Sequence, residues 1–295
     1  MKILLAVDDS VYSRYAAAEA VKLACNAWAD VTILGLCDKK KTPAEGPGCP
    51  PDAGPWQKGL TAFEQMFREQ GPPDDNPYIP LEESLEWVEV SKGVWEEFRV
   101  LRGVRKDLRV RLRAGDGAQV LIEDTTADYD LIVLGCGPGG ESLAGPGPGN
   151  ATLQKIVENS RASVLLVKQD QDIHKIVCCL DNSEVPQANL EMINLLATIH
   201  QATLELLGLT REGWIQIEVD NKLSNLWRYF STTQSQQVVT GFKEHSKLEP
   251  FVSNQARPDL LVLWRGKQSI LNTLFPKKWL GDLLTKSQSS VLVLR

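Results

Sequence analysis

The chain contains two copies of one sequence pattern. Residues 175–183 read KIVCCLDNS and follow KILLAVDDS at 2–10 with an offset of 173 residues. The same offset relates LLGL at 206–209 to ILGL at 33–36. The helix expected between these two apolar strands therefore has the same length in each copy, and the chain is predicted to be a tandem duplication.

The later parts of the two copies are related by shorter offsets. DLLVL at 259–263 follows DLIVL at 130–134 by 129 residues, and SVLVLR at 290–295 follows SVLLVK at 163–168 by 127 residues. The difference between the first and second offsets, 173 − 129, gives about 44 extra residues in the first copy. The extra residues must lie between its second and fourth strands.

These extra residues are assigned to a proline- and glycine-rich insertion at about 39–80. Its composition is typical of a long excursion or lid rather than of a core element, with one short helix near 60–70. The predicted domains are 1–169, which we call copy one, and 170–295, which we call copy two.

Strand and helix patterns alternate along both copies, which predicts an α/β fold with two tandem, doubly wound, five-stranded parallel sheets. In copy one the predicted strands are 2–10, which ends in an acidic turn, then 31–37, 108–113, 130–134 and 164–167, with helices at 13–28, 81–101 and 117–127 and from 150 onward. In copy two the predicted strands are 175–180, 203–209, 238–242, 259–264 and 290–294, with helices near 186–200, 217–231, 248–256 and 275–286.

A glycine-rich loop follows the fourth strand of copy one. Seven of the fifteen residues from Gly135 to Gly149 are glycine, and a helix is predicted to begin near Asn150, whose side chain is a good N-cap. Free backbone amides and a helix N-terminus converge in such an arrangement and favour an anion. The sequence therefore predicts a phosphate site there, although the loop could also be a connection that binds nothing.

Composition and charge exclude several classes of partner. The net charge is -6, and residues 1–168 carry 19 Lys and Arg against 25 Asp and Glu, while the remainder carries 13 against 13. Neither part is basic, so no nucleic-acid partner is expected. No apolar stretch reaches the roughly 18 residues that span a bilayer, and no signal peptide is recognised. A cytoplasmic protein is predicted, with no membrane partner.

The cysteines and histidines do not form a metal-binding pattern. The six cysteines include no C-x-x-C pair and no ligand-like spacing with the three histidines, so no metal site is predicted and the thiols are expected to be reduced. Cys178 and Cys179 fall in a predicted buried strand and are expected to be small core residues. Cys136 lies in the glycine-rich loop, where a lowered pKa and sensitivity to oxidation are the alternative to a structural role.

The turn Val7-Asp8-Asp9-Ser10 and the segment Asp130–Gly140, with their repeats, resemble the universal stress protein family. The resemblance implies the strand order 3-2-1-4-5 and, in ATP-binding members, a G-x2-G-x9-G-[ST] motif after the fourth strand. It implies adenine and ribose near Asp8 and phosphates on the glycine-rich loop, with Mg²⁺ accompanying the nucleotide. The contacts that it implies are Ala6, Val7, Asp8, Leu36, Gly135, Gly137, Gly140, Asn150, Ala151 and Thr152.

Copy one departs from the motif of the ATP-binding members. Counting from Gly137-x2-Gly140, the closing glycine and hydroxyl positions are Asn150 and Ala151. Counting instead from Gly135 replaces the second glycine by Pro138 and leaves a loop two residues longer. Thr152 could supply a hydroxyl to a phosphate or bond within the first helical turn. On either alignment the phosphate cradle is altered. Binding of ATP or a related adenine nucleotide in copy one and a loop that is only a permissive connection are the two alternatives.

Copy two departs further and is not expected to bind a nucleotide. Trp264 stands at the position of Gly135, and no G-x2-G spacing follows it. An indole at this position would fill the space that a ligand needs, so Trp264 is predicted to be buried. Asp181 and Ser183 are then expected to act only as turn residues.

The resemblance implies a stress-response regulatory protein whose two copies pack as a pseudo-twofold pair through strands 163–167 and 290–294, with a homodimer as a further option. No general base, nucleophile or metal site has usable spacing, so no catalytic residue and no enzyme activity are predicted. Slow ATP hydrolysis near Asp8 or Asp9 is the minor alternative. A rival interpretation is a nucleotide-free scaffold whose insertion at 39–80 docks an unknown protein partner.

Charged residues on either side of position 98 are expected to pair within the chain. Six glutamates between Glu82 and Glu97 precede a run of basic residues from Arg99 to Arg113. Intramolecular pairing on a solvated face is the preferred interpretation, and a patch for a phosphate or an acidic partner is the alternative.

Overall fold

The structure is a computed structural model of the chain, and it divides the chain into two compact units, Met1–Ala162 and Ser163–Arg295. This division lies seven residues before the repeat boundary predicted at 169. The residues that the structure describes are 1–37, 53–71, 75–80, 82–91, 93–102, 105–114, 117–124, 129–137, 150–180, 184–210, 216–233, 236–248, 251, 259–264, 281, 283–284 and 286–295.

Among the described residues of the first unit there are six strands: β1 Lys2–Val7, β2 Asp30–Cys37, β3 Glu82–Ser91, β4 Val94–Arg102, β5 Leu108–Ala114 and β6 Leu131–Gly135. Their order across the sheet is β6-β1-β2-β5-β4-β3. The strands β1, β2, β5 and β6 pair in parallel, whereas β4 pairs antiparallel with both β5 and β3. The four parallel strands β1, β2, β5 and β6 are the predicted strands one to four of copy one, and they lie in the order 3-2-1-4.

The helices that the structure describes beside this sheet are α1 Val11–Ala27, α2 Ala53–Arg68, α3 Gly117–Asp124 and α4 Asn150–Asn159. Helix α1 packs against β1, β6 and α2, and helix α3 packs against α4. The strands β1 and β6 are apolar and almost fully buried, as expected for central parallel strands that are covered on both faces. The α/β architecture predicted from the sequence is confirmed.

The predicted helix at 81–101 is wrong, because the structure has the β3–β4 hairpin there. Eight consecutive residue pairs run from Glu82–Arg102 to Glu89–Trp95, and the turn contains Gly93 at φ 75°. The many glutamates of this segment favour a helix, but its branched and aromatic residues and its Lys-Gly turn favour a hairpin. The pairing of β4 with β5 adds tertiary contacts that favour the hairpin over a helix.

The prediction that 39–80 is an excursion outside the core is also wrong for its described part. Helix α2 is longer than the predicted 60–70 helix, and Leu60 and Phe67 are fully buried. Tyr78 is buried as well, and its hydroxyl donates a hydrogen bond to the Ala29 carbonyl at 2.6 Å. Helix α2 is therefore the crossover helix between β2 and β5, and residues 38–52 and 72–74 lie outside the described residues.

The second unit contains the strand order β10-β9-β8-β11-β12-β7. Its five strands from copy two pair in parallel and lie in the order 3-2-1-4-5, as the resemblance implied. The bounds are β7 Ser163–Val167, β8 Lys175–Leu180, β9 Thr203–Thr210, β10 Val238–Glu244, β11 Leu260–Trp264 and β12 Ser290–Leu294, with helices α5 Gln187–His200 and α6 Ile217–Thr233. The helices predicted near 248–256 and 275–286 fall largely outside the described residues.

The strands β7 and β12 pair antiparallel within this unit. Leu165 lies opposite Leu292, and these two residues are counterparts at the repeat offset of 127. Val164 lies opposite Val293, and its own counterpart Val291 lies opposite Leu166. The pairing is therefore symmetric about the Leu165–Leu292 pair, as in an isologous contact. The two segments nominated from the sequence for an internal interface are paired strands.

The backbone conformation at the ends of two helices also shows the duplication, independently of the amino-acid identities. Helices α1 and α5 both end at a residue in the left-handed region, Trp28 at φ 49° and Gln201 at φ 51°. These residues are 173 positions apart, and the amide of each donates to the carbonyl four residues earlier, at Ala24 and Ala197. The duplicated helix therefore ends with the same geometry, although glycine is the residue that this position favours.

Candidate functional site

The site begins at the turn that follows β1. The carboxylate of Asp8 is almost fully buried, and its Oδ1 accepts hydrogen bonds from the Ser13 hydroxyl at 2.6 Å and from the Ser10 amide at 3.0 Å. The Asp8 amide donates in return to Ser13 Oγ at 2.9 Å, and Ser10 caps helix α1 by accepting from the Ser13 amide. The turn is therefore fixed by side-chain bonds, as expected for Asp and Ser at a strand-to-helix turn.

This turn lies at the topological switch point of the first sheet. Strand β1 pairs with β2 on one side and with β6 on the other, and all three run in parallel. Helix α1 carries the chain from β1 to β2, away from β6. The carboxyl ends of two such neighbouring strands border the crevice where open α/β sheets bind ligands. Asp8 follows β1 there, and Gly135 to Gly137 end β6.

The two described glycines of the loop lie against the first turn of α1. A Cβ atom on Gly135 would lie 2.1 Å from the Tyr12 carbonyl oxygen, and one on Gly137 would lie 2.4 Å from the Tyr12 ring. The contact at Gly135 is with backbone and is incompatible with a side chain, whereas a side chain at Gly137 would require the Tyr12 ring to move. These glycines therefore allow the first turn of α1 to approach β6 closely, and the ring of the half-buried Tyr12 lies beside Gly137.

Several predicted contacts have side chains that are committed to the core. Ala6, Val7 and Leu36 are each at most 1% exposed, backbone included, so these residues are enclosed by the protein. Cys136 is fully buried, and its Sγ lies 3.5 Å from the Gly137 carbonyl oxygen. Burial is the arrangement of a structural thiol rather than of a reactive one.

The anion-binding end of the site is described only in part. Helix α4 begins at Asn150, as predicted, and Ala151 and Thr152 follow in its first turn. Residues 138–149 lie outside the described residues, and they include Gly140. Within the described part, the structure places Asp8, Gly135 and Gly137, all three buried, at the carboxyl ends of the paired strands β1 and β6, and α4 continues the chain that leaves β6 there.

Sequence reasoning missed Ser13 and Tyr12. Ser13 lies three residues after the capping Ser10 and five after Asp8, a spacing that places its hydroxyl over the turn. Tyr12 carried no sequence signal by itself, because its contact with Gly135 and Gly137 joins positions more than 120 residues apart.

The corresponding position in copy two is built differently. Trp264, the counterpart of Gly135, is 5% exposed, which confirms its predicted burial. Helix α5 begins at Gln187, the counterpart of Arg14, whereas α1 begins earlier in the pattern, at Val11. Helix α5 therefore lacks the first turn that α1 has. The counterpart of Ser13 is Pro186, which has no hydroxyl. Copy two therefore has neither a hydroxyl at the position of Ser13 nor a glycine at the position of Gly135, while Asp181 and Ser183 lie outside the described residues.

The cysteines that the structure describes, Cys25, Cys136, Cys178 and Cys179, are not joined in disulfides. Burial raises the pKa of the Cys178 thiol well above its ordinary value and that of Cys179 to about 12. Within the ranges that the structure describes, no group of three or more His, Cys, Asp or Glu side chains could hold a metal ion, and no helix is long and apolar enough to cross a bilayer.

The first unit is a doubly wound α/β domain with an Asp-Ser turn and glycines at its switch point, the place where ligands bind in proteins of this architecture. The family model of the universal stress protein family matches residues 1–168, more than half of the chain. The chain belongs to the universal stress protein family. The resemblance stated from its motifs is confirmed.

Solved structures show the same fold over the whole chain. A universal stress protein from Archaeoglobus fulgidus is similar at a TM-score of 0.58 and 13% identity, covering 100% of this chain and 98% of its own. A universal-stress-protein candidate from Pseudomonas aeruginosa gives a TM-score of 0.56 at 13% identity, covering 99% of this chain and 92% of its own. No curated protein matches this chain.

Proposed function

We propose that the protein is a stress-response regulator that binds ATP or a related adenine nucleotide in copy one and none in copy two. The observation that carries this proposal is the fixed Asp8 turn facing Gly135 and Gly137 at the switch point of the first sheet. The adenine and ribose belong beside Asp8 and the carboxyl end of β2 near Leu36. The phosphates belong at the glycine-rich loop and the first turn of α4, around Asn150.

The contrast between the copies supports the restriction to copy one. Gly135 leaves room for the first turn of α1, whereas the buried indole of Trp264 takes the equivalent position in copy two. Ser13 holds the Asp8 carboxylate in copy one, whereas Pro186 cannot hold Asp181 in the same way. Both differences remove elements that a nucleotide site would use.

The substitution Asn150→Asp tests the phosphate end of the site without changing the shape of the side chain. A carboxylate in the first turn of a helix favours the helix, so the fold is expected to keep its thermal stability. The added charge repels phosphates, so ATP affinity measured by calorimetry should fall at least tenfold, about 1.4 kcal/mol, and AMP affinity should fall less. The adenine nucleoside should bind equally to both proteins.

Ile217→Asp is the matched control, because it adds the same charge at the start of α6 in copy two, where the side chain is 74% exposed. ATP affinity should be unchanged in this variant. Equal ATP affinity of the Asn150→Asp variant and the parent protein would overturn the placement of the phosphates. No heat and no thermal shift with millimolar ATP, AMP or cyclic AMP would overturn nucleotide binding itself.

The proposed role is regulation by binding rather than catalysis, and it is placed in the cytoplasm, where the free thiols of Cys25 and Cys136 would stay reduced. Mg²⁺ would enter with the phosphates rather than through a preformed cluster. The rate of phosphate release from ATP should therefore be no higher with the parent protein than with the Asn150→Asp variant. Sustained release by the parent protein alone would support the slow hydrolysis named as the alternative.

A further inference from the structure

The β3–β4 hairpin is an addition to the duplicated fold. In copy two, the third strand β10 has one paired neighbour among the described residues, and it ends the strand order. In copy one, the equivalent strand β5 is followed across the sheet by β4 and then by β3. The nucleotide site lies between β1 and β6, three strands away from β4. The hairpin is therefore not needed for the crevice.

The hairpin is firmly attached to the sheet through charged side chains. Arg111 of β5 forms an ion pair with Glu96, the residue opposite it on β4, and approaches Asp124 of α3 at 3.6 Å. Burial alone would lower the pKa of the Arg111 guanidinium, but the two carboxylates together raise it above its ordinary value. Strand β4 is thereby fixed, and the expected pairing of acidic and basic residues is confirmed at this pair.

Strand β3 presents its other edge without a paired strand among the described residues, since it ends the strand order of the first sheet. Such an edge offers backbone amides and carbonyls to another strand. The side chains at its turn end are accessible: Val88 is 37% and Val90 45% exposed, and Glu89 and Ser91 are exposed. Glu89 also accepts a hydrogen bond from the Gly93 amide at 2.9 Å.

The negative charge of β3 favours a basic partner. The ten residues of β3, EESLEWVEVS, contain four glutamates and no lysine or arginine. The whole hairpin carries six glutamates against Lys92, Arg99 and Arg102. Two copies of β3 placed edge to edge would bring eight carboxylates together, which like-charge pairing disfavours. A basic strand would instead gain both backbone hydrogen bonds and opposite charge.

We propose that β3 is a docking edge for a basic, extended segment of a partner protein, which adds to the sheet as one more strand. The lysines or arginines of this segment are attracted by the net negative charge of β3, and its apolar residues cover Val88 and Val90. This assigns protein docking to residues 82–91. The earlier candidate, the insertion at 39–80, has its helix α2 committed to the core through Leu60 and Phe67.

The probe is a short fluorescent peptide of alternating lysine and valine with blocked ends, added to the full-length protein and followed by anisotropy. A second peptide has the same side chains but N-methyl groups on alternate residues, which remove the amides that strand addition uses. The first peptide should bind and the second should bind at least tenfold more weakly. Equal affinity for the two peptides would show that the protein binds them through charge alone, and it would overturn strand addition.

The double variant Val88→Lys, Val90→Lys tests the position. Both side chains are exposed, so the fold should be kept, as circular dichroism would verify, and affinity for the unmethylated peptide should fall at least tenfold. Glu218→Lys on α6 is the control that alters charge at an exposed position in the second unit, and it should bind nearly as the parent does. Unchanged affinity in the double variant, or a β3-dependent homodimer seen by light scattering, would overturn the proposal.

Discussion

The hydroxyl of Ser163 accepts a hydrogen bond from the backbone amide of Arg295, 3.3 Å away. Their repeat counterparts make the equivalent bond with the two strands exchanged: Ser290 Oγ accepts a hydrogen bond from the Lys168 amide at 3.2 Å. Both pairs of counterparts are 127 residues apart. The duplicated strands β7 and β12 are therefore joined at both ends by equivalent bonds, in addition to their ladder.

Replacing either serine by alanine should have the same effect because the two bonds are equivalent. We expect Ser163→Ala and Ser290→Ala each to lower the free energy of unfolding by about 1 kcal/mol, the usual net value of one such bond. Guanidinium denaturation of the two variants measures this. A loss in only one variant would contradict the symmetry of the pairing.

Gly135→Ala should be among the most damaging single substitutions in the first unit. The new methyl group would lie 2.1 Å from the Tyr12 carbonyl oxygen, so α1 or β6 must move. We expect a loss of more than about 3 kcal/mol in unfolding free energy, since overpacking against backbone cannot be relieved by a rotamer change. Gly59→Ala is the control: no atom lies within 4 Å of its Cβ position in α2, and the helix should gain about 0.5–1 kcal/mol. Equal effects of the two substitutions would contradict the close approach.

Ser13→Ala should weaken both the fold and the nucleotide site. The hydroxyl is buried and serves as donor to Asp8 Oδ1 and as acceptor for the Asp8 amide, so its loss leaves two buried groups without this partner. We expect a stability loss of about 2 kcal/mol and weaker ATP binding. Ser224→Ala, at an exposed position of α6, should change stability by less than about 0.5 kcal/mol. Unaltered stability in the Ser13 variant would show that the turn does not depend on this bond.

Alkaline pH should destabilise the protein through its buried thiols. Burial raises the pKa of Cys178 and Cys179 in the folded chain above their ordinary value of 9.0, so both stay protonated there while they ionise in the unfolded chain. The stabilisation is complete below pH 9 and is lost as the pH rises toward 12, at up to about 1.4 kcal/mol per pH unit for each thiol.

Denaturation curves between pH 8 and pH 11 would check this loss, with the variant Cys178→Leu, Cys179→Ala as the control. These replacements are the residues that copy one has at the equivalent positions, Leu5 and Ala6. The variant should lose less stability over the same pH range than the parent. Parallel curves for the two proteins would contradict the contribution of the thiols.

The sequence predicted those parts of the fold that repeat. The central strands β1, β6, β8 and β11 and helices α1 and α5 have clear apolar patterns, and each has a counterpart in the other copy that supports its assignment. The hairpin of β3 and β4 has no counterpart, so only local preference was available, and the glutamates favoured a helix. Pairing with β5, a contact that the local sequence does not encode, decides the outcome.

The candidate site was predictable in location but not in detail. The Val7-Asp8-Asp9-Ser10 turn and the glycine-rich loop identify the switch point because their motifs are local. From the sequence, Gly135 and Gly137 were expected to contact an anion through their backbone. In the structure they lie against Tyr12, a residue distant in sequence, and leave room for it. The bond of Ser13 to Asp8 likewise becomes visible only when the turn is folded.

The stoichiometry of nucleotide binding tests the central claim most directly. Titration of the full-length protein with ATP in a calorimeter, with protein concentration fixed by its tryptophan absorbance, gives the number of sites per chain. We predict one site, because copy one keeps the Asp8 turn and Gly135 while copy two has Trp264 and Pro186. Two sites per chain, or none, would contradict the account.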